Sequence, residues 1–462
     1  MSWNRARASH RRASRHQHRD DELRIRVPES QRRWPGTETR DALLTSFAKM
    51  SSAKSLAPPS RIPALTPASA ALALALLLGL QPVSTDVYLP ALPALTRQLG
   101  AAMPQAQLTM SALILAFGLA QLVWGPLADR FGRRPVLLSG LVLYTLASLG
   151  SVWAASIESL IVWRTLQGAS MAAAVVSARA MVRDLYEPHQ GARVMSLALS
   201  GLGVLAVVGP AAGGLAAAGL GWRAALALVA AFGAFTLAWV FWRVPETLAR
   251  PNPKALQPGP LLSAWSAIAR HPVFVAWTLL VSFTYAGLFV FLAGAPFVYI
   301  EVLGLSPAHY GLAMASAALA YIAGTWIGRR WLARHGMVGA VQRGAALTAA
   351  GGLLLVGAMA LGVIGRTTPL AFWPVLVAQW LYMLGHGVHQ PCGQAGVAGP
   401  FPQAAGAASA LAGCVLALLA FGVGAWLGVA LDGSVRPLAW GVGVAALLTS
   451  ATAWTLVRRL GR

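Results

Sequence analysis

Acidic residues are scarce in this chain: 14 Asp and Glu stand against 36 Lys and Arg in 462 residues. Charge as a whole is scarce too, at 11%, where a soluble domain carries about 25%. So few charged groups cannot keep a fold of this size in water. There are two cysteines, Cys392 and Cys414, both in apolar surroundings, which excludes a disulfide framework and a thiolate metal site. No phosphate loop of the G-x-x-x-x-G-K type occurs, so nothing couples the chain to ATP hydrolysis. No catalytic constellation is present, and no enzyme, cofactor or metal site is expected. The net charge of +22 would suit nucleic acid, but the basic residues are scattered between hydrophobic runs and form no single face. A nucleic-acid partner is therefore not expected.

What the chain has instead is apolar length: 57% of its residues are hydrophobic and its mean hydropathy is +0.61. A helix needs roughly 20 mostly apolar residues to cross a bilayer, and only a helix satisfies its own backbone there. Twelve such spans are expected, near 67–93, 106–127, 135–155, 158–182, 194–217, 223–243, 272–299, 309–331, 341–363, 370–395, 405–429 and 437–457. The tenth is the weakest, because its second half, "HGVHQPCGQAGVAGPFP", is polar and rich in helix breakers. From Pro63 onward there are 22 Lys and Arg; with a cytoplasmic N-terminus 17 fall in cytoplasmic segments, four outside, and Arg164 within a span. That asymmetry predicts that both termini are cytoplasmic.

The first 62 residues hold 14 Lys and Arg and 6 Asp and Glu with few large apolar residues, so disorder is expected there. They are no signal peptide, because the apolar run comes far too late. Met50 offers an alternative start; a phospholipid-binding basic arm is the functional reading of the same stretch. The longest polar connection, "VPETLARPNPKALQPGPLLSAWSAIARHP", reads as a cytoplasmic loop at 244–271. It separates a first half at 63–243 from a second at 272–462, six spans each.

The loop after the second span reads "GPLADRFGRRPVLL". Gly125 is expected to let two helices approach closely and Gly132 to permit a tight turn. Asp129 can cap or pair at a helix end, and Arg130, Arg133 and Arg134 hold the loop to the cytoplasmic side. The second half echoes it as "GTWIGRRWLARHG", with Gly328 where the aspartate would be. The full G-x-L-A-D-R-x-G-R-R pattern resembles the signature loop of the major facilitator superfamily. "LIVWRTLQGASMAA" resembles that superfamily's R-x-x-Q-G motif through Arg164, Gln167 and Gly168. "VVGPAAGG", with Gly209, Pro210, Gly213 and Gly214, resembles the motif of drug–proton antiporters, although Leu205 stands where the motif has a further glycine. "DVYLPALP", "RAMVRDLYEPHQGARVMS" and "FPQAAGAASALAG" resemble the bicyclomycin-resistance (Bcr/CflA) family of multidrug efflux transporters. Arg183 and Asp184, in the second of these, join the signature loop as conformational residues.

The resemblance implies an all-α membrane protein with twelve transmembrane helices in two six-helix halves. It implies proton-driven export of small amphipathic toxic compounds across a bacterial inner membrane, by a monomer in contact with lipid. An exporter of a cellular metabolite and a non-transporting sensor on the same scaffold are the other readings.

Asp86 is the residue that asks for an explanation, since a charge inside a span is expensive by about 3 kcal/mol on insertion scales. It either caps a helix broken by Pro90 near the interface or couples proton movement. Burial favours a neutral carboxyl and a nearby cation an ionised one, so changing surroundings can load and release a proton. Arg164 is the expected partner, since both lie about 10 Å below the outer surface at about 1.5 Å per residue; otherwise it reaches outward to Glu158. Tyr88, Gln121, Trp124, Gln167, Tyr285 and Gln379 are candidates for the wall of a substrate cavity, or for packing between helices. His386 and His389 share a helical face at i, i+3. They are candidates for metal binding, for a proton-responsive or substrate-contacting role, or for interhelical hydrogen bonding.

Overall fold

The computed structural model describes residues 66–364 and 371–461. The expectations for the basic tail and for the start at Met50 lie outside them.

The first helix, α1 (Pro67–Asp86), stops in mid-span and continues through a 3-10 turn (Leu89–Ala91) into α2 (Leu92–Gln98). The reason is local. Pro90 and Pro93 have no amide hydrogen, so the carbonyls of Asp86 and Leu89 lose their helical donors. The break places Asp86 at a helix end with a further turn and helix still to come. Next are α3 (Met103–Phe131), α4 (Arg133–Val152), α5 (Ile157–Leu185), α6 (Pro188–Leu220) and α7 (Trp222–Arg243). The linker carries α8 (Pro258–Ala269). The second half holds α9 (Pro272–Pro296), which ends in a π turn (Phe297–Val302), then α10 (Pro307–Ala360) and α11 (Phe372–Ala398). It closes with α12 (Ala405–Ala430) and α13 (Arg436–Thr452), which runs on into α14 (Arg458–Leu460).

Ten helical segments among the described residues are long and apolar enough to cross a membrane. α10, at 54 residues, would be about 80 Å long if straight, against a hydrocarbon core of about 30 Å. It folds back at Gly336, whose φ of 67° and ψ of −179° are non-helical, so it supplies two spans. α11 is an unbroken helix of 27 residues, its polar second half included. It is too polar to count among the ten. With both arms of α10 and with α11, the helices match the expected spans.

The linker differs from the expected loop. Its prolines cluster up to Pro260, and the sequence from Leu261 to Ala269 has no breaker. Proline at the first helical position of α8 fits, since its fixed φ suits a helix start and its missing N–H would be unpaired there anyway.

The halves meet along two seams, α3 on α12 and α6 on α10. Both hold close approaches at residues without bulk. A Cβ on Gly118 would lie 2.2 Å from that of Ala417, and one on Gly424 2.6 Å from the Ser111 Cβ. On the other seam a Cβ on Gly311 would lie 2.4 Å from the Pro210 carbonyl oxygen. In lipid no hydrophobic force draws helices together, and close backbone approach takes its place.

Candidate functional site

Asp86 is half-buried at the end of α1, and its Oδ1 accepts a hydrogen bond from the Thr85 hydroxyl at 2.7 Å. Two tyrosines of the second half, Tyr285 of α9 and Tyr310 of α10, lie within electrostatic reach of the carboxylate. The Tyr310 hydroxyl is fully buried and has no hydrogen-bond partner. Asp86 therefore belongs to the first half and faces the second. Asp129, Glu158 and Asp184 sit within three residues of helix ends, and Glu301 lies in the π turn that closes its span. Among the described residues, Asp86 is the carboxylate set away from the span ends.

Arg164 does not pair with Asp86, nor with Glu158, which accepts from Gln105 at 3.0 Å. Its guanidinium is completely buried in the first half. It donates to the Ser84 carbonyl at 2.9 Å, to Gln167 Oε1 at 2.7 Å and to the Thr109 carbonyl at 3.4 Å. It also lies 4.5 Å above the Tyr88 ring. The expected match in depth holds, because Arg164 reaches the same turn of α1, but the side is different. Successive helical residues are about 100° apart, so Ser84 and Asp86 point in nearly opposite directions. Ser84 turns inward, where its hydroxyl meets that of Tyr144 at 2.6 Å. Asp86 turns toward the second half.

This network absorbs two of the expected cavity residues. Tyr88 is fully buried, its hydroxyl 2.7 Å from Thr109 Oγ1. Gln167 receives Arg164 and donates to the Ser148 hydroxyl at 2.7 Å. Trp124 also ties helices together, its indole N–H donating to the Ala169 carbonyl at 2.8 Å. Gln121 lies on the α3–α12 seam, where a Cβ on Gly413 would meet its Nε2 at 3.0 Å. Gln379 accepts from the Tyr299 hydroxyl at 2.9 Å within the second half. Tyr285 is the member of the set that faces Asp86. His386 and His389 share a neighbour, Thr284 of α9, whose Oγ1 lies 3.1 and 3.2 Å from their Nδ1 atoms. No cluster of three or more His, Cys, Asp or Glu suited to a metal occurs among the described residues.

The antiporter-like motif packs directly behind Asp86. A Cβ on Gly213 would lie 2.1 Å from the carbonyl oxygen of Val87, the next residue along. One on Gly214 would lie 2.5 Å from the Pro307 carbonyl oxygen, and Gly209 lies against the Val87 side chain. The Pro210 carbonyl meets Gly311. Leu205, the departure from the motif, fits into the space left by Gly79, where a Cβ would meet its Cδ1 at 2.4 Å.

The signature loop forms a charge cluster at one end of the bundle. Gly132 turns the chain with φ 106°. Arg133 is paired with Asp129 at 2.6 Å and with Asp184 at 3.0 Å. Arg134 donates to the Val244 and Phe241 carbonyls at 2.9 and 3.0 Å, and Arg130 to that of Pro253. Arg183 lies against Gly406 of α12. Gly125 is not a close-approach site, since a Cβ there would find Val176 at an ordinary 3.8 Å. Sequence reasoning missed Glu246. Its carboxylate accepts from the backbone N–H groups of Arg133 and Arg134 at 2.9 and 3.1 Å, as an anion at the N-terminus of α4. The signal was an acid next to a proline in a basic linker, too common a pattern to single out. Tyr310 was missed because a tyrosine near a span end reads as an interface anchor.

A model of the Major Facilitator Superfamily matches residues 74–425. The chain is 26% identical over 357 residues to the bicyclomycin resistance protein homolog of Haemophilus influenzae, covering 77% of this chain and 87% of that one. It is 30% identical over 378 residues to the chloramphenicol resistance protein of Pseudomonas aeruginosa, with 80% and 82% covered. It is 30% identical over 343 residues to multidrug resistance protein D of Escherichia coli K12, with 74% and 84% covered. Among solved structures, a D-xylose-proton symporter superposes with a TM-score of 0.66 at 18% identity over 84% of this chain and 97% of the other, a likeness of fold alone. The chain therefore belongs to the major facilitator superfamily, beside relatives named for drug resistance, and is a multi-pass membrane transporter and not an enzyme.

Proposed function

We propose that the protein exports small amphipathic toxic compounds in exchange for protons, by alternating access across the bacterial inner membrane. The observation that carries this reading is the placement of Asp86: a half-buried carboxylate in mid-span, where the first half faces the tyrosines of the second. A carboxylate there meets a different environment each time the halves rock. In one state it gives up its proton and leaves a charge to hold a cationic or polar group; in the other it takes a proton and releases that group. The names of the relatives support drugs as cargo. The proton gradient is the energy source, no cofactor takes part, and the working unit is a monomer with both termini in the cytoplasm.

The test is transport by the full chain in proteoliposomes with an imposed proton gradient, beside drug susceptibility of a host stripped of its own pumps. Uphill, gradient-dependent export of a cationic dye by the parent chain and its loss in Asp86→Asn are expected. Gradient-driven export that survives in Asp86→Asn would overturn the assignment.

A further inference from the structure

The buried histidine pair of α11 has a proton arrangement that its neighbours determine. His389 Nε2 lies 3.2 Å from the Val341 carbonyl, which can only accept, so that nitrogen carries a hydrogen. In the neutral ring Nδ1 is then an acceptor, and the Thr284 hydroxyl must donate to it across 3.2 Å. A hydroxyl has one hydrogen. Toward His386, 3.1 Å away, the Thr284 oxygen can therefore only accept, and His386 must carry its hydrogen on Nδ1. The remaining nitrogen, His386 Nε2, has its lone pair free and no partner among the described contacts. His389 is fully buried, whereas His386 keeps 3% of its surface.

We propose that His386 Nε2 is a proton-binding site of the second half, with Thr284 and His389 as positioning residues that leave that one nitrogen of the pair free to accept. A proton added there disturbs none of the three existing hydrogen bonds. A proton added to His389 Nδ1 would require Thr284 to reverse its donation. The surroundings contain no competing acid. α9, α10, α11 and α12 hold no Asp or Glu at all. The titratable groups on these helices besides the pair are Tyr321 of α10, whose ring centre is 5.6 Å from that of His386, with His309, Tyr310 and His335 on the same helix, Tyr285 of α9, Tyr382 and Cys392 of α11, and Cys414 of α12. The charged groups of α10 are Arg329, Arg330, Arg334 and Arg343, all exposed near its fold-back. The packing holds the rings in place. A Cβ on Gly385 would lie 2.2 Å from Thr348 Oγ1, and one on Gly387 2.3 Å from the Tyr321 carbonyl oxygen, so His386 is clamped between the two arms of α10. The site bears on the antiport reading in one respect, the number of protons bound, and rests on it only there.

The test is nitrogen-15 NMR of the full chain with labelled histidine, in lipid nanodiscs, across a range of pH. The chain has nine histidines, so the His386 and His389 signals are assigned by subtraction using His386→Gln and His389→Gln. The expected result is a neutral His386 with hydrogen on Nδ1 and a neutral His389 with hydrogen on Nε2. On acidification, His386 Nε2 should gain a proton before His389 Nδ1 does. Thr284→Ser should preserve the pattern, whereas Thr284→Val, nearly the same shape, should mix the His386 tautomers. The titration is repeated in Asp86→Asn, where proton binding at His386 should persist; this separates failure of the site from failure of the antiport reading. Hydrogen on Nε2 of His386 at neutral pH would overturn the proposal. So would earlier protonation of His389, or a His386 that stays neutral until the protein unfolds.

Discussion

Asp86 and Arg164 lie in neighbouring turns of space yet belong to separate circuits, and their substitutions should behave accordingly. Arg164→Met leaves the Ser84 carbonyl and Gln167 Oε1 without their donor inside the first half, which should cost about 3 kcal/mol. The thermal midpoint in detergent should fall. Asp86→Asn keeps the shape of its side chain and should leave that midpoint nearly unchanged while coupling is lost. Because the two side chains share no contact, the stability effects of the double substitution should add; a strong departure from additivity would place them in one network after all. Tyr310 makes the opposite pattern. Its buried hydroxyl has no partner, and an unmade hydrogen bond of this kind costs about 1–3 kcal/mol. Tyr310→Phe should therefore raise stability while slowing proton-driven transport, if the hydroxyl serves Asp86 in the other state. Equal transport by Tyr310→Phe and parent would show that the hydroxyl is only a packing cost.

At the scale of elements, the helices were legible because apolar length is a direct physical requirement of lipid. The turn at Gly132 was legible because its loop is short, and the weak tenth span was still a helix because its polar face is covered by α10. Pairings were harder to read. Depth along a helix can be counted, and Arg164 did reach the turn that counting indicated. Which face a side chain takes depends on helical phase, and two residues of phase separate Asp86 from Ser84, whose carbonyl Arg164 reaches. Glu246 shows the same limit, since a helix N-terminus reached across a linker leaves no trace in local spacing. It also gives a prediction. Glu246→Gln weakens the anion at the start of α4, and Asp129→Asn removes one of the two carboxylates on Arg133. Both should slow exchange between end states and leave equilibrium ligand affinity alone; a large fall in affinity with unchanged exchange would place these residues at the cargo site. Gly213→Ala belongs to this scale as well. Its Cβ would press on the Val87 carbonyl, and overpacking of this kind costs about 1–3 kcal/mol. Stability should fall and passive proton leak in liposomes should rise.

For the whole molecule, the end of the bundle opposite the signature loop is where the halves are tied. Arg97 at the end of α2 meets Glu301 at 2.6 Å, and Gln107 Nε2 donates to the Ala293 carbonyl at 2.9 Å. The ion pair is largely exposed, with 62% and 37% of the two side chains accessible. Such a pair contributes about 0–1 kcal/mol and is weakened by salt. Glu301→Gln should shift the balance of end states by no more than about fivefold, read from distances between spin labels at that end, and high salt should mimic it in the parent chain. A shift of a hundredfold would mean the latch is buried in use. The seams behind this latch have a consequence of a different kind. Gly118 against Ala417, Gly311 against Pro210 and Gly214 against Pro307 bring together residues with almost no rotamers to lose. In the proposed rocking of the halves, these contacts would part and reform with no long side chain frozen or released at them. The temperature dependence of the exchange should then report mainly the few polar ties at that end, and these small-residue contacts should contribute little entropy in either direction.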